Sequence, residues 1–215
     1  MDSAIFDELN WSEAFWFANV LMIASFVPYW LFGCLFLVLD TTSGMLKYKT
    51  QPDIPLKMEK LITVLKTILK TTTVMPYCLS YTVYVVFKLR GIAMSLTPPD
   101  ITTLLLHLMG CALIQEVGFY YSHRALHAPY FYKSIHKVHH ELTTPFALGA
   151  IYAHPLEVIF SNMVPALLGP MLFGSSLFTV IVWNVLSVLV TTVHHSGYHL
   201  PFLPSPEFHD YHHLK

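Results

Sequence analysis

Residues 155–193 read PLEVIFSNMVPALLGPMLFGSSLFTVIVWNVLSVLVTTV, two apolar runs separated only by Gly174-Ser175-Ser176. A helix needs about 20 apolar residues to cross a bilayer core, so 155–173 and 177–193 predict a tight helical hairpin. Two crossings return a chain to the side it left. The flanking segments, 123–154 and 194–213, must therefore face one compartment. Those flanks hold the unusual composition of the chain, because 12 of its 13 histidines lie between His123 and His213.

Outward from the hairpin the pattern stays that of a membrane protein. The 215 residues are 54% hydrophobic and only 12% charged, against roughly 25% charged in soluble domains. A run at 14–39, broken only by Asn19, a few hydroxyls and Pro28, is long enough to span. Asp2, Asp7, Glu8 and Glu13 precede it, and Lys47, Lys49, Lys57, Lys60, Lys66 and Lys70 follow it, which marks the second flank as cytosolic. A shorter stretch at 72–87 and a third run at 101–121, behind the helix-start signal Pro98-Pro99-Asp100, carry the chain out and back. The 72–87 stretch is short for a crossing and ends on Lys88 and Arg90, so a re-entrant or interfacial course is the alternative. The fold class expected is an all-α integral membrane protein of about four to five transmembrane helices with a cytosolic His-rich helical cap.

Other function classes are excluded by charge and by cysteine usage. A net charge of -1 offers no basic excess to neutralise a phosphate backbone, so no nucleic-acid partner is expected. Cys34, Cys78 and Cys111 sit in apolar runs without CxxC spacing and read as packing residues. The acidic N-terminus argues against a cleaved signal peptide. The partners expected are lipids and proteins.

The histidines fall into clusters with helical offsets: His123 and His127; His136, His139 and His140; His209, His212 and His213. Residues at i, i+3 and i+4 stack on one helix face, so each cluster is expected to point one way. His195 and His199 repeat the i, i+4 spacing, although Gly197 and Pro201 suggest a helix end there. Together these make ten imidazoles able to converge. Solvent-facing histidines have no reason to repeat such an offset, whereas a lone one such as His107 reads as a packed, hydrogen-bonded side chain. Zinc takes about four ligands, and two metals with about five each suit ten better. Imidazole suits iron, copper and zinc. HExxH and GxSxG motifs are absent from the sequence, and an aliphatic C–H bond offers nothing to acid–base or nucleophilic groups, so a metal able to activate O2 fits a site at the lipid boundary.

With HxxxH, HxxHH and a later HxxHH in this order, the chain resembles the fatty acid hydroxylase and sterol desaturase superfamily. SHRALHAP, IHKVHHE, YAHPLE and HHSGYHLPFLPSPEFHDYHH look most like its methylsterol monooxygenases. The resemblance implies two iron ions held by His123, His127, His136, His139, His140, His209, His212 and His213, with His195 and His199 completing the set. It implies electrons from NAD(P)H through cytochrome b5 or a reductase, an endoplasmic reticulum location with the site cytosolic, and C4-methyl sterol oxidation or, alternatively, hydroxylation of a fatty acyl chain or sphingolipid. Methylsterol oxidases usually carry Asp where this chain has His199. The division expected is a membrane region at 1–100 and a fatty acid hydroxylase-type domain at 101–215. Relatives are expected to continue beyond the last box, so the end at Lys215 reads as that of a short isoform or a fragment, with a non-catalytic, regulatory relative as the second class of function.

Four more residues are expected to orient ligand imidazoles by hydrogen bonds: Glu116, seven residues before His123 on the same helical face, and His154, Glu157 and Asp210.

Overall fold

The computed structural model describes residues 9–54 and 58–214. Asp2, Asp7, Glu8, Lys57 and Lys215 lie outside the described residues. Helix α1 spans Trp11–Asp40 and starts at Asn10, whose side chain accepts from the N–H groups of Ser12 at 3.0 Å and Glu13 at 3.2 Å. After a 3-10 turn at Ser43–Tyr48 comes α2, Met58–Leu89. Asp100 caps α3, Ile101–Leu126, through the N–H of Thr103. A short α4, Pro129–Ser134, leads into 3-10 turns at His136–Glu141 and Ala147–Ile151. The hairpin follows: α5 is Pro155–Phe173, containing a π turn at Val158–Met163, and α6 is Leu177–Ser196. Helix α7, Glu207–Leu214, ends the described chain.

The protein is an all-α membrane protein, and α1, α3, α5 and α6 are each long and apolar enough to cross a bilayer. Helix α2 is where the structure departs from the 72–87 stretch. It begins at Met58, and 32 residues at about 1.5 Å each make roughly 48 Å, more than the core of a bilayer. At its start Lys60 pairs with Glu141 beside the histidines. At its far end Lys88 pairs with Glu13 at 2.6 Å, and the Tyr84 hydroxyl meets Asn10 and Glu13. It therefore runs the height of the bundle antiparallel to α1. Lys60, Lys66 and Lys70 hide it from a hydropathy scan, while Thr71, Thr72 and Thr73 return their hydroxyls to carbonyls of the preceding turn, so that these hydroxyls are paired within the helix.

Helices α3 and α5 approach at glycine, as membrane helices do when backbone contact replaces the hydrophobic effect. A Cβ on Gly169 would stand 2.7 Å from the Cα of Cys111, and one on Gly110 would stand 2.4 Å from the Phe173 ring. The loop between the 3-10 turns is held from below. Tyr29 of α1, 4% exposed, donates its hydroxyl to the Leu148 carbonyl at 2.6 Å, and Phe146 and Leu148 pack with Val64 and Ile68 of α2.

The end of α6 is set by Gly197, which has φ +73° and whose Cβ, were there one, would press on Pro145 at 2.7 Å. Beyond it the chain is tied to the end of α1. Thr50 donates its N–H to the Gly197 carbonyl, His199 donates its N–H to Tyr48, and the buried Tyr198 hydroxyl donates to Asp40, which also pairs with Lys49.

Candidate metal centre

Two groups of four imidazoles converge at the end of the bundle where α3, the His136–Glu141 turn, α6 and α7 meet. His123, His127, His136 and His212 bring one nitrogen each within 4.8 Å of one another, and so do His139, His195, His209 and His213. His140 joins the first group, with its Nε2 at 3.1 Å from that of His136. The expectation that each cluster points in one direction is therefore corrected. His136 and His140 serve the first group while His139 between them serves the second. The last box mirrors this, since His209 and His213 serve the second group and His212 the first. Tight 3-10 winding at 136–141 and the placement of α7 between the groups let one box supply both.

The hydrogen bonds around the rings decide which nitrogen is bare. His139 donates Nδ1–H to the Tyr152 carbonyl at 3.1 Å, and His195 donates Nδ1–H to the Thr191 carbonyl at 2.8 Å. A carbonyl only accepts, so both rings carry the proton on Nδ1 and turn an unprotonated Nε2 inward. Those two Nε2 atoms face each other at 3.5 Å with no proton between them. Glu157 fixes His136 in the same way, with Oε1 at 2.9 Å from Nδ1. Other Nε2 pairs stand close: 2.7 Å for His209 with His195, 2.9 Å for His123 with His212 and 3.0 Å for His136 with His127. Two nitrogens about 2.1 Å from one cation and at right angles are about 3 Å apart. Converging lone pairs at these spacings fit one metal ion in each group, and an all-imidazole donor set suits iron, copper or zinc.

Burial keeps the rings neutral, as ligation requires. Burial and then the neighbouring imidazoles push His212 and His136 down to about 4 and His140 to about 3. Burial takes His139 to about 3, and it holds His127, His209 and His213 below the ordinary value of 6.5. The sign follows from linkage: below pH 6.5 the unfolded chain takes up protons that the folded one refuses, so lowering the pH favours unfolding. The metal-free protein should show a flat unfolding temperature above pH 7 and a steep fall between pH 6.5 and 4. A profile flat down to pH 5 in thermal unfolding of the protein in detergent would contradict the packing of these rings.

A cavity of about 260 Å³ opens beneath the centre, among α1, α2, α3, α5 and α6. It touches the second group through His139, His195 and His209 and the first only through His123. Its far wall is apolar, with Leu21, Phe26, Leu79 and Val83 among its residues.

Nine of the ten expected imidazoles meet. His199 does not join either group: α6 stops at Ser196, so the i, i+4 stacking on His195 is lost, and its exposed ring bonds Glu207 at 2.8 Å instead. Of the four residues expected to orient ligands, Glu157 contacts one. Asp210 accepts from Gln51 at 2.7 Å, His154 caps α5 through the Leu156 N–H, and Glu116 faces His194 across the cavity. His194 was not singled out by spacing, and its only signal was adjacency to His195. His107 lies at the opposite end of the bundle, bonded to Ser175 and stacked on Phe173.

The profile of the fatty acid hydroxylase family, described as "Fatty acid hydroxylase", matches residues 108–215. A protein named fatty acid hydroxylase domain-containing protein 2 from Homo sapiens is 43% identical over 195 residues, 87% of this chain and 58% of that one. Methylsterol monooxygenase 2-2 of Arabidopsis thaliana is 36% identical over 195 residues, 86% of this chain and 72% of the relative. A very-long-chain aldehyde decarbonylase of Oryza sativa subsp. japonica is 43% identical over 138 residues, 60% of this chain and 52% of the relative. The chain thus spans just over half the length of several curated relatives. No solved structure matches it.

Proposed function

This chain belongs to the fatty acid hydroxylase family, and on that premise we propose that it is a membrane di-iron oxygenase acting on a lipid C–H bond, with a 4-methyl sterol as substrate. The observation that carries this reading is the set of nine imidazoles, in two groups, at the head of a cavity that continues between membrane-spanning helices. Two irons there would supply the reduction of O2 that an unactivated C–H bond demands. The reaction balances as substrate C–H, O2, two electrons and two protons giving C–OH and water. The electrons would come from NAD(P)H through cytochrome b5 or a reductase.

The chain's own residues do the rest. The Tyr152 and Thr191 carbonyls and the Glu157 carboxylate hold His139, His195 and His136 in the tautomer that presents Nε2. Buried His136, His139 and His213 close the inner side of the centre to bulk water, while His127 is exposed on its outer side. The apolar wall from α1 and α2 takes the body of a lipid that stays in the bilayer, and one carbon is presented to the imidazoles. A sterol suits this geometry because its hydroxyl sits near the head groups, so the adjacent C4 methyl reaches the interface without extraction of the molecule. Lys47, Lys49, Lys60, Lys133 and Lys137 gather at the histidine end, against Lys88 and Arg90 at the other. The positive-inside bias thus supports a cytosolic site in a multi-pass protein, for which we propose the endoplasmic reticulum membrane.

The test is turnover by the iron-loaded chain in lipid nanodiscs, with NADPH, cytochrome b5 and its reductase under isotope-labelled O2. The expected product is a 4-hydroxymethyl sterol carrying one labelled oxygen. A hydroxylated fatty acyl lipid with the sterol untouched would move the assignment to an acyl or sphingolipid hydroxylase. No product from either, with iron bound, would favour a non-catalytic relative.

A further inference from the structure

Several polar atoms in the cavity wall below the histidines are not used by the imidazoles. Glu157 is 3% exposed, and while its Oε1 bonds His136, its Oε2 is buried with no hydrogen-bond partner. It sits immediately before the π turn of α5. A turn closed i to i+5 sets residues five apart nearly one above the other, so Asn162 comes to the same cavity face as Glu157, which a regular α-helix would prevent. Glu116 of α3 and His194 of α6 line the same cavity. Asn162 and Glu116 have no hydrogen-bond partner among the described residues. A buried polar atom left unpaired between membrane helices is costly, and Glu157 Oε2 is such an atom. Other polar side chains in the same wall are paired: Asn184 donates to Ser25 at 2.8 Å, and Ser187 donates to Gln115 at 3.3 Å. Glu157 sits next to the imidazoles through its bond to His136, and Asn162 and Glu116 line the same cavity.

We propose that Glu157 Oε2, Asn162, Glu116 and His194 form a subsite that hydrogen-bonds a hydroxyl of the lipid substrate and so selects lipids whose hydroxyl lies within two or three bonds of the oxidised carbon. This rests on the lipid-oxygenase reading above and specifies which lipid. One carboxyl oxygen, of Glu157 or Glu116, accepts the single hydroxyl proton, the Asn162 amide donates to the hydroxyl oxygen, and the adjacent carbon is turned toward His139, His195 and His209. An alkyl chain with no hydroxyl would leave Glu157 Oε2 and the Asn162 amide unpaired in a cavity it has dehydrated. The subsite therefore discriminates by penalty as well as by attraction.

The test is equilibrium binding to the full iron-loaded chain in nanodiscs, comparing a 4,4-dimethyl sterol bearing its 3-hydroxyl with the 3-deoxy analogue. The wild-type chain should bind the hydroxylated sterol about tenfold more tightly. Asn162→Leu and Glu116→Leu should each erase most of that preference while leaving iron content and affinity for the deoxy analogue unchanged, and Glu116→Gln, which keeps hydrogen-bonding atoms, should retain part of it. Equal binding of the two sterols by the wild-type chain would overturn the subsite and leave the oxygenase reading standing. Variants that lose affinity for both sterols alike would also overturn it, since that is the signature of a merely structural role. Failure of the iron-loaded chain to bind either sterol would remove the sterol reading and the subsite together.

Discussion

Replacing His139 with alanine is expected to empty the second group and leave the first loaded, so that bound metal falls from two ions per chain to about one. His139 is 5% exposed and is the one imidazole that the His136–Glu141 turn sends to the second group. No neighbouring histidine can replace it, because His136 and His140 are committed to the first group. Loss of one of four donors should weaken binding by more than the roughly 10–100-fold that removal of an outer hydrogen-bond partner costs. His199→Ala is the control: its ring is exposed and bonded to Glu207, so bound metal should not change. Elemental analysis of the purified variants decides. Equal loss at both positions would mean that His199 swings in to ligate, and no loss at His139 would mean that the second group holds no metal.

Glu157→Ala should have the next largest effect, through a residue that touches no metal. The carboxylate accepts the His136 Nδ1–H at 2.9 Å with both partners buried. Without it that N–H is left unpaired, the ring is free to turn or change tautomer, and the first group loses a correctly aimed donor. Iron affinity measured by chelator competition should drop about 10–100-fold. Glu157→Gln retains a carbonyl oxygen able to accept and should recover most of the loss. Indistinguishable affinities for wild type, Glu157→Ala and Glu157→Gln would show that His136 is aimed by packing alone.

Much of this architecture could be read from residue pattern, for physical reasons that also explain the gaps. The 155–193 hairpin was legible because two bilayer-length apolar runs with a Gly-Ser turn admit little else, and it placed the histidine segments on one side. Helix α2 was only half legible: Lys66 and Lys70 dilute its hydropathy, and only its contacts with α1 show it running the full height of the bundle. The convergence of histidines was legible from their spacing, but its division into two groups was not. Spacing assigns His136, His139 and His140 to one face, whereas the 3-10 turn and the positions of α6 and α7 separate them. His199 kept the right offset from His195 and still missed the centre, because Gly197 ends the helix and the bridge to Tyr48 turns the chain away. His194 and Asn162 carried no motif. Their place on the cavity wall depends on helix rotation and on the π turn.

The central claim is that these nine imidazoles hold two irons, and the most direct measurement is the iron content of the wild-type chain together with its Mössbauer spectrum after loading with the iron-57 isotope. The account predicts two irons per chain in nitrogen-rich sites that differ from each other, since one group has five imidazoles and the other four. It also predicts that His209→Ala removes one spectral component, whereas His127→Ala, which leaves four imidazoles in its group, shifts the other component without removing it. A single iron per chain, or stoichiometric zinc that iron cannot displace, would contradict it.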